Sequence, residues 1–207
     1  MSHEQDNDQK VSVVLASGSA TRASVLREAG VSFSIHAAAI DETVVKNSMR
    51  ASDQSALETA QALADLKASQ VSSNYPNALA IGGDQILACG PHWLDKPKNL
   101  VGAREQLLLL RGQEHQLLTA VSAARAGKII WQFCATSALV MRDFSDDFLD
   151  NYLESEKSNV CKSVGGYRLE GPGIQLFSRI GGVYFDILGL PLVPLLNFLR
   201  QQGVIQE

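Results

Sequence analysis

A short segment of small residues near the N-terminus has residue types that could bind a phosphate group. It reads Ser17-Gly18-Ser19-Ala20-Thr21-Arg22 and stands between a predicted buried strand and a predicted helix. The N-terminus of a helix offers unpaired amide groups and the positive end of the helix dipole. Small residues let a phosphate approach this backbone, and the Arg22 guanidinium could bind it through two hydrogen bonds. The alternative is a capped turn with Arg22 in solvent, and the segment is not a Walker P-loop.

Two acidic segments could supply carboxylates to the same site. Asp41-Glu42 follows the second predicted strand, on a loop where a pair of carboxylates is usually only solvated. Gly82-Gly83-Asp84-Gln85 comes at the end of a buried strand, which is where α/β folds place their ligands. A tight turn is the alternative for this second segment, because Gly and Asp are common turn residues.

Two further segments place basic and acidic residues beside proline or glycine. In Asp95-Lys96-Pro97 the proline favours an extended conformation for Lys96, although most such lysines are solvated. The segment Gly165-Gly166-Tyr167-Arg168-Leu169-Glu170-Gly171 predicts either a shaped loop around an acidic residue or a plain surface turn. Together the five segments offer cations for an anion and carboxylates for a divalent cation. Mg²⁺ bound with a polyphosphate requires that combination.

A frame of alternating strands and helices must bring these segments together. Val11–Ala16 predicts a buried strand, which precedes a helix over Ala20–Ala29 and a second strand over Val31–Ile35. Further strands are predicted at 78–81, in a hairpin over 86–94, and at 115–126 and 128–141. Further helices are predicted at 52–69, 100–111 and 146–154, and from Pro191 to Gly203. The mixture of crossovers and hairpins predicts an α/β fold with a mixed sheet. We expect one domain over residues 11–207, behind a flexible tail at 1–10.

Composition and charge exclude several classes of protein. The chain of 207 residues has a formal net charge of −4, with 45% hydrophobic and 6% aromatic residues. An acidic chain poor in aromatic residues lacks the basic surface and the stacking platforms of nucleic-acid binders. The three cysteines are widely spaced and form no C-x-x-C pair, which argues against a disulfide framework or a zinc site. The polar N-terminus and the lack of a long apolar run predict a cytoplasmic protein without a membrane partner.

The identity and order of these segments resemble the Maf-like nucleoside triphosphate pyrophosphatases over nearly the whole chain, from about Val13 to Gly203. Near the N-terminus, the matching blocks are Leu15-Ala16-Ser17-Gly18-Ser19-Ala20-Thr21-Arg22, Asp41-Glu42 and Leu63-Ala64-Asp65-Leu66-Lys67-Ala68. In the middle of the chain they are Gly82-Gly83-Asp84-Gln85, Asp95-Lys96-Pro97 and Arg111-Gly112-Gln113-Glu114-His115. Near the C-terminus they are Gly166-Tyr167-Arg168-Leu169-Glu170-Gly171 and Gly189-Leu190-Pro191-Leu192. Eight blocks in the family's order indicate membership of that family.

The resemblance implies an elongated, mixed-sheet Maf/ITPase-like fold with two lobes around a central cleft, usually in a homodimer. It implies hydrolysis of a nucleoside triphosphate to a monophosphate and pyrophosphate with a divalent metal cation, Mg²⁺ or Mn²⁺. By position, Asp84 would be the catalytic carboxylate, and Glu42 with Asp84 would bind the metal. The residues that would bind the triphosphate are Ser19, Arg22, Lys67 and Lys96.

Three positions that tune base choice in the family correspond here to Thr21, Gln85 and Glu170. The branch that prefers dTTP and UTP has Arg, Thr and Gln at these positions, whereas the branch that prefers 7-methyl-GTP has Trp, Gln and Glu. This chain therefore matches the second branch at two positions and neither branch at the first. A Glu170 carboxylate could accept from the N1–H and amino group of guanine. The sequence departs from the family signature where Ala20 replaces its proline and Thr21 its first arginine.

The resemblance predicts an enzyme that acts on a non-standard or pyrimidine nucleoside triphosphate, with 7-methyl-GTP as the favoured candidate. The alternative is a non-catalytic nucleotide-binding regulator, which would need Arg22 and the lysines but neither Asp84 nor Glu42. A purely structural protein is the third interpretation, and it predicts no binding of any triphosphate. The presence of both carboxylates favours the enzyme.

Overall fold

The protein is built on one seven-stranded mixed sheet, seen in a computed structural model that describes residues 11–206. Residues 1–10, predicted as a flexible tail, and residue 207 lie outside the described part of the chain. The strands are β1 Val13–Leu15, β2 Ser34–Ile35, β3 Leu79–Cys89, β4 His92–Leu94, β5 Glu114–Arg125, β6 Lys128–Met141 and β7 Phe177–Ile180. They follow the order β2-β1-β3-β5-β6-β7, with β4 paired to β3. The pairs β1–β2 and β1–β3 are parallel and the others antiparallel, so the predicted mixed sheet is confirmed.

Seven α-helices pack against this sheet or close its ends. They are α1 Ala20–Glu28, α2 Glu42–Ala51, α3 Ala56–Asn74, α4 Leu100–Leu110, α5 Asp146–Glu156, α6 Tyr184–Ile187 and α7 Leu192–Gln201. Short 3₁₀ turns cover Lys157–Lys162, Val164–Gly166 and Pro172–Leu176. The predicted cap Ser19 accepts from the amide of Arg22, and Ser55 starts α3 through a capping box with Glu58. Within residues 11–206 no helix is both long enough and apolar enough to cross a membrane.

Two large apolar clusters form the two lobes of the fold. One is centred on Leu15, Leu26 and Leu199, where α1 and α7 pack against β1. The other is centred on Leu107, Leu139 and a wall of aromatic residues, where α4 and α5 pack against the far end of the sheet. Burial of side chains in both clusters stabilises the fold by about 1.5–3 kcal/mol for each fully buried Leu or Phe. The mixed α/β architecture of a two-lobed molecule therefore agrees with the expected fold class.

The strand predicted to end at Ile81 instead continues without a break to Cys89, so the prediction of an end or turn at Gly82-Gly83 was wrong. The two glycines serve close packing instead. A Cβ atom on Gly82 would lie 2.3 Å from the Ala64 carbonyl oxygen on α3, and one on Gly83 would lie 3.3 Å from Nε of Arg22. Glycine is thus required at Gly82, where the backbone of α3 approaches the strand, and Gly83 leaves room for the Arg22 side chain.

The expectation that both Asp41 and Glu42 lie on a loop was wrong, although Asp41 is exposed to solvent as one alternative held. Asp41 caps α2, accepting from the amides of Thr43 and Val44, and Glu42 is the first residue of this helix. Val45 and Met49, four residues apart, form a short apolar face on this helix, yet none of its residues is fully buried in the fold. The structure also adds two short elements, β7 and α6, that had no prediction.

A network of neutral donors surrounds Asp65 where α3 faces β5 and β6. The Asp65 carboxylate accepts from the side chains of Gln61 at 2.8 Å, Ser122 at 2.6 Å and Gln132 at 2.8 and 2.9 Å. Gln61 also donates to the fully buried Ser122 hydroxyl at 2.7 Å. This network joins the long helix to the sheet through polar contacts that are all paired.

Candidate active site

An open cavity of about 530 Å³ lies between the two lobes, and every predicted site residue lines it. The first lobe contributes the turn before α1 and the α1 residues Thr21 and Arg22. The second contributes the segment from Lys162 to Glu170, and β3 supplies the floor with Asp84 and Gln85. Segments far apart in the sequence therefore meet in one site, as the resemblance implied.

Lys67 bridges two carboxylates at the centre of the cavity. Its Nζ atom donates to Oδ1 of Asp84 at 2.7 Å and lies 2.5 Å from Oε1 of Glu42. Lys67 lies on the sheet-facing side of α3, and Asp84 lies in the middle of β3, so both are nearly buried. A buried ion pair requires good geometry to offset the loss of hydration. The three groups are placed on three different elements, α2, α3 and β3.

Burial and charge oppose each other at Asp84. Desolvation raises the pKa of this carboxyl above its usual value, although Lys67 and Arg22 act in the opposite direction. Its second oxygen, Oδ2, is buried and has no hydrogen-bond partner among the described residues. An unpartnered buried carboxylate oxygen costs free energy, and such groups concentrate at functional sites. Asp84 therefore lines the cavity with one carboxylate oxygen that no described group satisfies.

At Glu42 the neighbouring cations outweigh burial. Desolvation raises the pKa of Glu42, but the hydrogen bond and charge of Lys67, with contributions from Lys46 and Arg22, leave it lowered overall. Glu42 is therefore a stable carboxylate at neutral pH, whereas Asp84 is the carboxylate whose proton affinity is increased. Neighbouring carboxylates with different environments can take different roles in a reaction.

Arg22 is held beside Asp84 by neutral oxygens of the first lobe. Its Nε atom donates to the Gly189 carbonyl at 2.7 Å, and its Nη1 donates to the Ser17 hydroxyl at 3.2 Å. Gly189 has a φ of +89°, and its built Cβ would lie 3.4 Å from the guanidinium, which explains the glycine at this position. Burial lowers the pKa of Arg22 from its usual high value, with Asp84 and Glu42 opposing that change. The guanidinium stays charged because an arginine does not lose its proton in proteins.

The other predicted anion-binding residues lie at the rim and at the helix terminus. Lys96 lines the cavity, where desolvation, and next the charge of Arg22, lower the pKa of its ammonium group. Ser19 caps α1 by accepting from the Arg22 amide, and it lines the cavity with the turn before this helix. The cavity wall thus combines the three predicted side-chain cations with the N-terminal end of α1.

Gln85 has a fixed orientation next to Asp84. Its amide nitrogen donates to the hydroxyl of Thr119 at 2.8 Å and to the carbonyls of Asp186 and Ile187 at 3.1 Å. The donors of this amide are thus engaged, which leaves its carbonyl oxygen as the group that can accept from a ligand. The structure therefore presents an acceptor at this predicted specificity position.

The acidic loop of the second lobe places Glu170 beside an arginine. Arg168 donates to the buried Glu156 carboxylate at 3.2 Å, and its Nε lies 3.7 Å from Oε1 of Glu170. Arg168 was noted in the sequence only as part of a motif, and its pairing with Glu156 was not predicted. Nothing in the sequence indicates this contact, because α5 and the loop meet only through tertiary packing.

Two more cations on the cavity wall, Lys46 and Lys162, were not singled out from the sequence. Lys46 lies on α2 one helical turn after Glu42, and it forms an ion pair of 2.5 Å with Asp95. The spacing of four residues between Glu42 and Lys46 would have been a signal, had the sequence been interpreted as helical there. Thr21, the third predicted specificity residue, lines the cavity from α1.

The donor set was compared with the metal that the resemblance implies. Among residues 11–206, no group of three or more His, Cys, Asp or Glu side chains could hold a metal ion. The two carboxylates Glu42 and Asp84, one with an unpartnered oxygen, are nevertheless what Mg²⁺ uses when substrate phosphates complete its coordination. The residues present therefore fit a metal that arrives together with a polyphosphate.

Fold and cavity together define a mixed α/β protein with opposed buried charges between two lobes. Residues 12–202 match the family described as Maf-like protein, and the chain belongs to that family. A nucleoside triphosphate pyrophosphatase of Granulibacter bethesdensis is 52% identical over 193 residues, covering 93% of this chain and 98% of that protein. The protein of the same description in Paramagnetospirillum magneticum is 48% identical, covering 92% and 98%. A 7-methyl-GTP pyrophosphatase of Rhizobium meliloti is 42% identical, covering 93% and 97%.

Proposed function

We propose that this protein hydrolyses a nucleoside triphosphate between its α- and β-phosphates, giving the monophosphate and pyrophosphate. The observation that supports this most directly is Asp84, a buried carboxylate with one unpartnered oxygen, which lines a cavity together with Arg22, Lys67 and Lys96. The relatives at 52% and 48% identity carry the name nucleoside triphosphate pyrophosphatase, which agrees with this proposal.

The cations would bind the triphosphate and stabilise charge that develops on it. Water attack at the α-phosphorus increases negative charge on the phosphate oxygens and on the departing pyrophosphate. Arg22 offers a guanidinium whose remaining donors can bind phosphate, while Lys67 and Lys96 act as point charges. The fold already fixes the Arg22 side chain through its hydrogen bond to the Gly189 carbonyl. A cation held in this way can stabilise the developing phosphate charge without reorganisation during the reaction.

Asp84 would orient the attacking water and accept its proton at Oδ2. A free aspartate is a weak base at pH 7, and the raised pKa of this buried carboxyl makes it a better one. Glu42 and Asp84 would hold the divalent cation that the family implies. When bound, such a cation lowers the pKa of water and neutralises phosphate charge. The ammonium of Lys67 keeps both carboxylates at the centre of the site.

For the base, we propose a guanine-type nucleotide and favour 7-methyl-GTP. The carbonyl oxygen of Gln85 and the carboxylate of Glu170 are two acceptors on the cavity wall. Guanine presents two adjacent donors, its N1–H and its amino group, whereas uracil and thymine present only one ring N–H. Relatives at 42% and 43% identity carry the name 7-methyl-GTP pyrophosphatase, which supports the same choice.

The decisive experiment is pyrophosphate release from a panel of triphosphates with Mg²⁺ or Mn²⁺. The panel contains 7-methyl-GTP, GTP, UTP, dTTP, CTP and ATP, each tested with the wild type and with Asp84→Asn. We expect release that depends on Asp84 and is fastest with 7-methyl-GTP. Fastest release with UTP or dTTP would retain the enzyme and refute the choice of base. Binding in calorimetry that saturates, with no release from any nucleotide, would instead indicate a regulator.

A further inference from the structure

Helix α2 contacts the rest of the protein along a line of charged residues. Glu42, Lys46 and Arg50 are spaced by four residues, which places them on one face of the helix. No residue of α2 is buried, and only Val45 and Met49 among its larger apolar side chains are partly covered. The position of α2 therefore depends on polar contacts more than on apolar burial.

Each of the three charged residues has a partner on a different element. Glu42 pairs with Lys67 of α3, and Arg50 lies over the ring of Trp93 in β4, at 4.3 Å from its centre. Lys46 pairs with Asp95, in the segment between β4 and α4. The Lys46 side chain is 17% exposed, whereas that of Asp95 is 72% exposed, so the lysine lies against the cavity wall. The Glu42–Lys67 contact thus lies at the centre of the cavity, and the Lys46–Asp95 contact lies on its wall.

We propose that Lys46 is a positioning residue, whose ion pair with Asp95 holds α2 against the segment that carries Lys96. This inference rests on the proposed function, because its consequence is to fix the positions of Glu42 and Lys96 in the cavity that would bind the triphosphate. Asp95 directly precedes Lys96, and its carbonyl oxygen accepts from the Gln106 side chain at 2.9 Å. The backbone before Lys96 is therefore attached to α4, and the Asp95 side chain attaches it to α2.

Because Asp95 is negatively charged, its removal distinguishes a positioning role of the ion pair from a purely electrostatic effect on the substrate. A carboxylate near a triphosphate site repels the substrate, so its removal by itself should tighten nucleotide binding. If the carboxylate instead holds Lys46 and the α2 helix in place, its removal weakens binding. A direct phosphate-binding role for Lys46 also predicts opposite effects of removing Lys46 and removing Asp95.

The experiment measures binding of a triphosphate analogue with a methylene group between its α- and β-phosphates, which cannot be hydrolysed. Lys46→Met and Asp95→Asn should each raise Kd by about two- to fivefold, the range expected for a partly exposed ion pair. The double variant should be no weaker than either single variant, and the exchange K46E with D95K should restore binding. Lys98→Met removes an exposed lysine of the same segment, and we expect it to leave Kd within about 1.5-fold.

Trp93 gives a second readout that is independent of nucleotide. In a Trp131→Phe background Trp93 is the single tryptophan, and Arg50 of α2 covers its ring. Lys46→Met should increase quenching of Trp93 by acrylamide, and the charge exchange should reverse the increase. Tighter analogue binding by Asp95→Asn, or unchanged quenching in Lys46→Met, would refute the positioning role. An absence of pyrophosphate release by the wild type would refute the proposed function while both readouts remain measurable.

Discussion

Two carboxylates lie where α3 packs against the sheet, Asp65 on the helix and Asp84 on β3, and their oxygens have different partners. Both oxygens of Asp65 accept hydrogen bonds, and all of the donors are neutral side chains. Asp84 has one oxygen bound to the Lys67 ammonium and one buried oxygen without a partner. The first carboxylate is saturated by the fold, whereas the second retains an unused acceptor inside a charged cavity.

The difference shows how a structural carboxylate can be distinguished from a reactive one at the same interface. A fully paired carboxylate has nothing left to offer a ligand, and its removal leaves buried donors such as Ser122 unpaired. Asp84 is left incompletely paired by the fold, and burial raises its pKa. Such a carboxylate can still accept a proton or bind a ligand. The comparison therefore predicts loss of activity at one position and loss of stability at the other.

The largest effect should come from the pair of variants Asp84→Asn and Asp65→Asn. We expect Asp84→Asn to lower kcat for pyrophosphate release by about 10²-fold or more, because the amide cannot accept a proton. Asp65→Asn should keep kcat within about threefold, since this residue lies outside the cavity lining. Both rates are measured on the best nucleotide of the panel, with circular dichroism as the check on folding.

A folded Asp84→Asn protein with near-normal turnover would remove Asp84 from the mechanism. Equal losses of kcat in the two variants would also contradict the comparison, because the saturated carboxylate would then matter as much as the reactive one.

Lys67→Met tests the cation that holds Asp84. Loss of its charge should lower kcat/KM by about 10²-fold, the lower end of the range for removing one preorganised stabilising group. Lys67 opposes the effect of burial on Asp84, so its removal should raise the Asp84 pKa further. The base form of Asp84 is lost as the pH falls through that pKa, so the acidic limb of kcat/KM should move to higher pH. If the acidic limb of kcat/KM stayed at the same pH or moved to lower pH, Lys67 would not lower the pKa of the catalytic carboxylate.

The sequence predicted that the turn before α1, the lysines and Asp84 lie together, as the cavity lining shows, because these residues stand in short, local motifs. It could not predict that β3 continues past Gly82, because only the approach of α3 makes glycine necessary there. Helix α2 was missed for a related reason. Val45 and Met49 share one face of this helix, but its main contacts are ion pairs with distant partners such as Asp95, which the sequence does not reveal. The local chemistry of the site was thus predictable, whereas the long-range pairings that fix it were not.

Glu170→Gln tests the base-binding end of the cavity. The variant keeps one acceptor but loses the charge, and a hydrogen bond to a charged group is worth about 1.5–3 kcal/mol. We expect the ratio of kcat/KM for 7-methyl-GTP over UTP to fall by about tenfold, with little change in UTP hydrolysis itself. Glu156→Gln, whose carboxylate pairs with Arg168 from the buried side, is the matched comparison. An unchanged ratio in Glu170→Gln would show that this carboxylate does not bind the base.

The smallest expected effect is on the free energy of unfolding, and it concerns Asp65, the fully paired carboxylate of the comparison. Asp65→Asn should lower the free energy of unfolding in urea by about 1–2 kcal/mol, because its amide group donates where neutral donors already converge. Asp143→Asn, at an exposed position, should change the unfolding free energy by less than about 0.5 kcal/mol and serves as the charge-matched control. If Asp65→Asn unfolds like the control, its hydrogen bonds do not stabilise the fold. The unused oxygen of Asp84 would then be a weaker sign of function, because the contrast with a saturated carboxylate would carry no energetic difference.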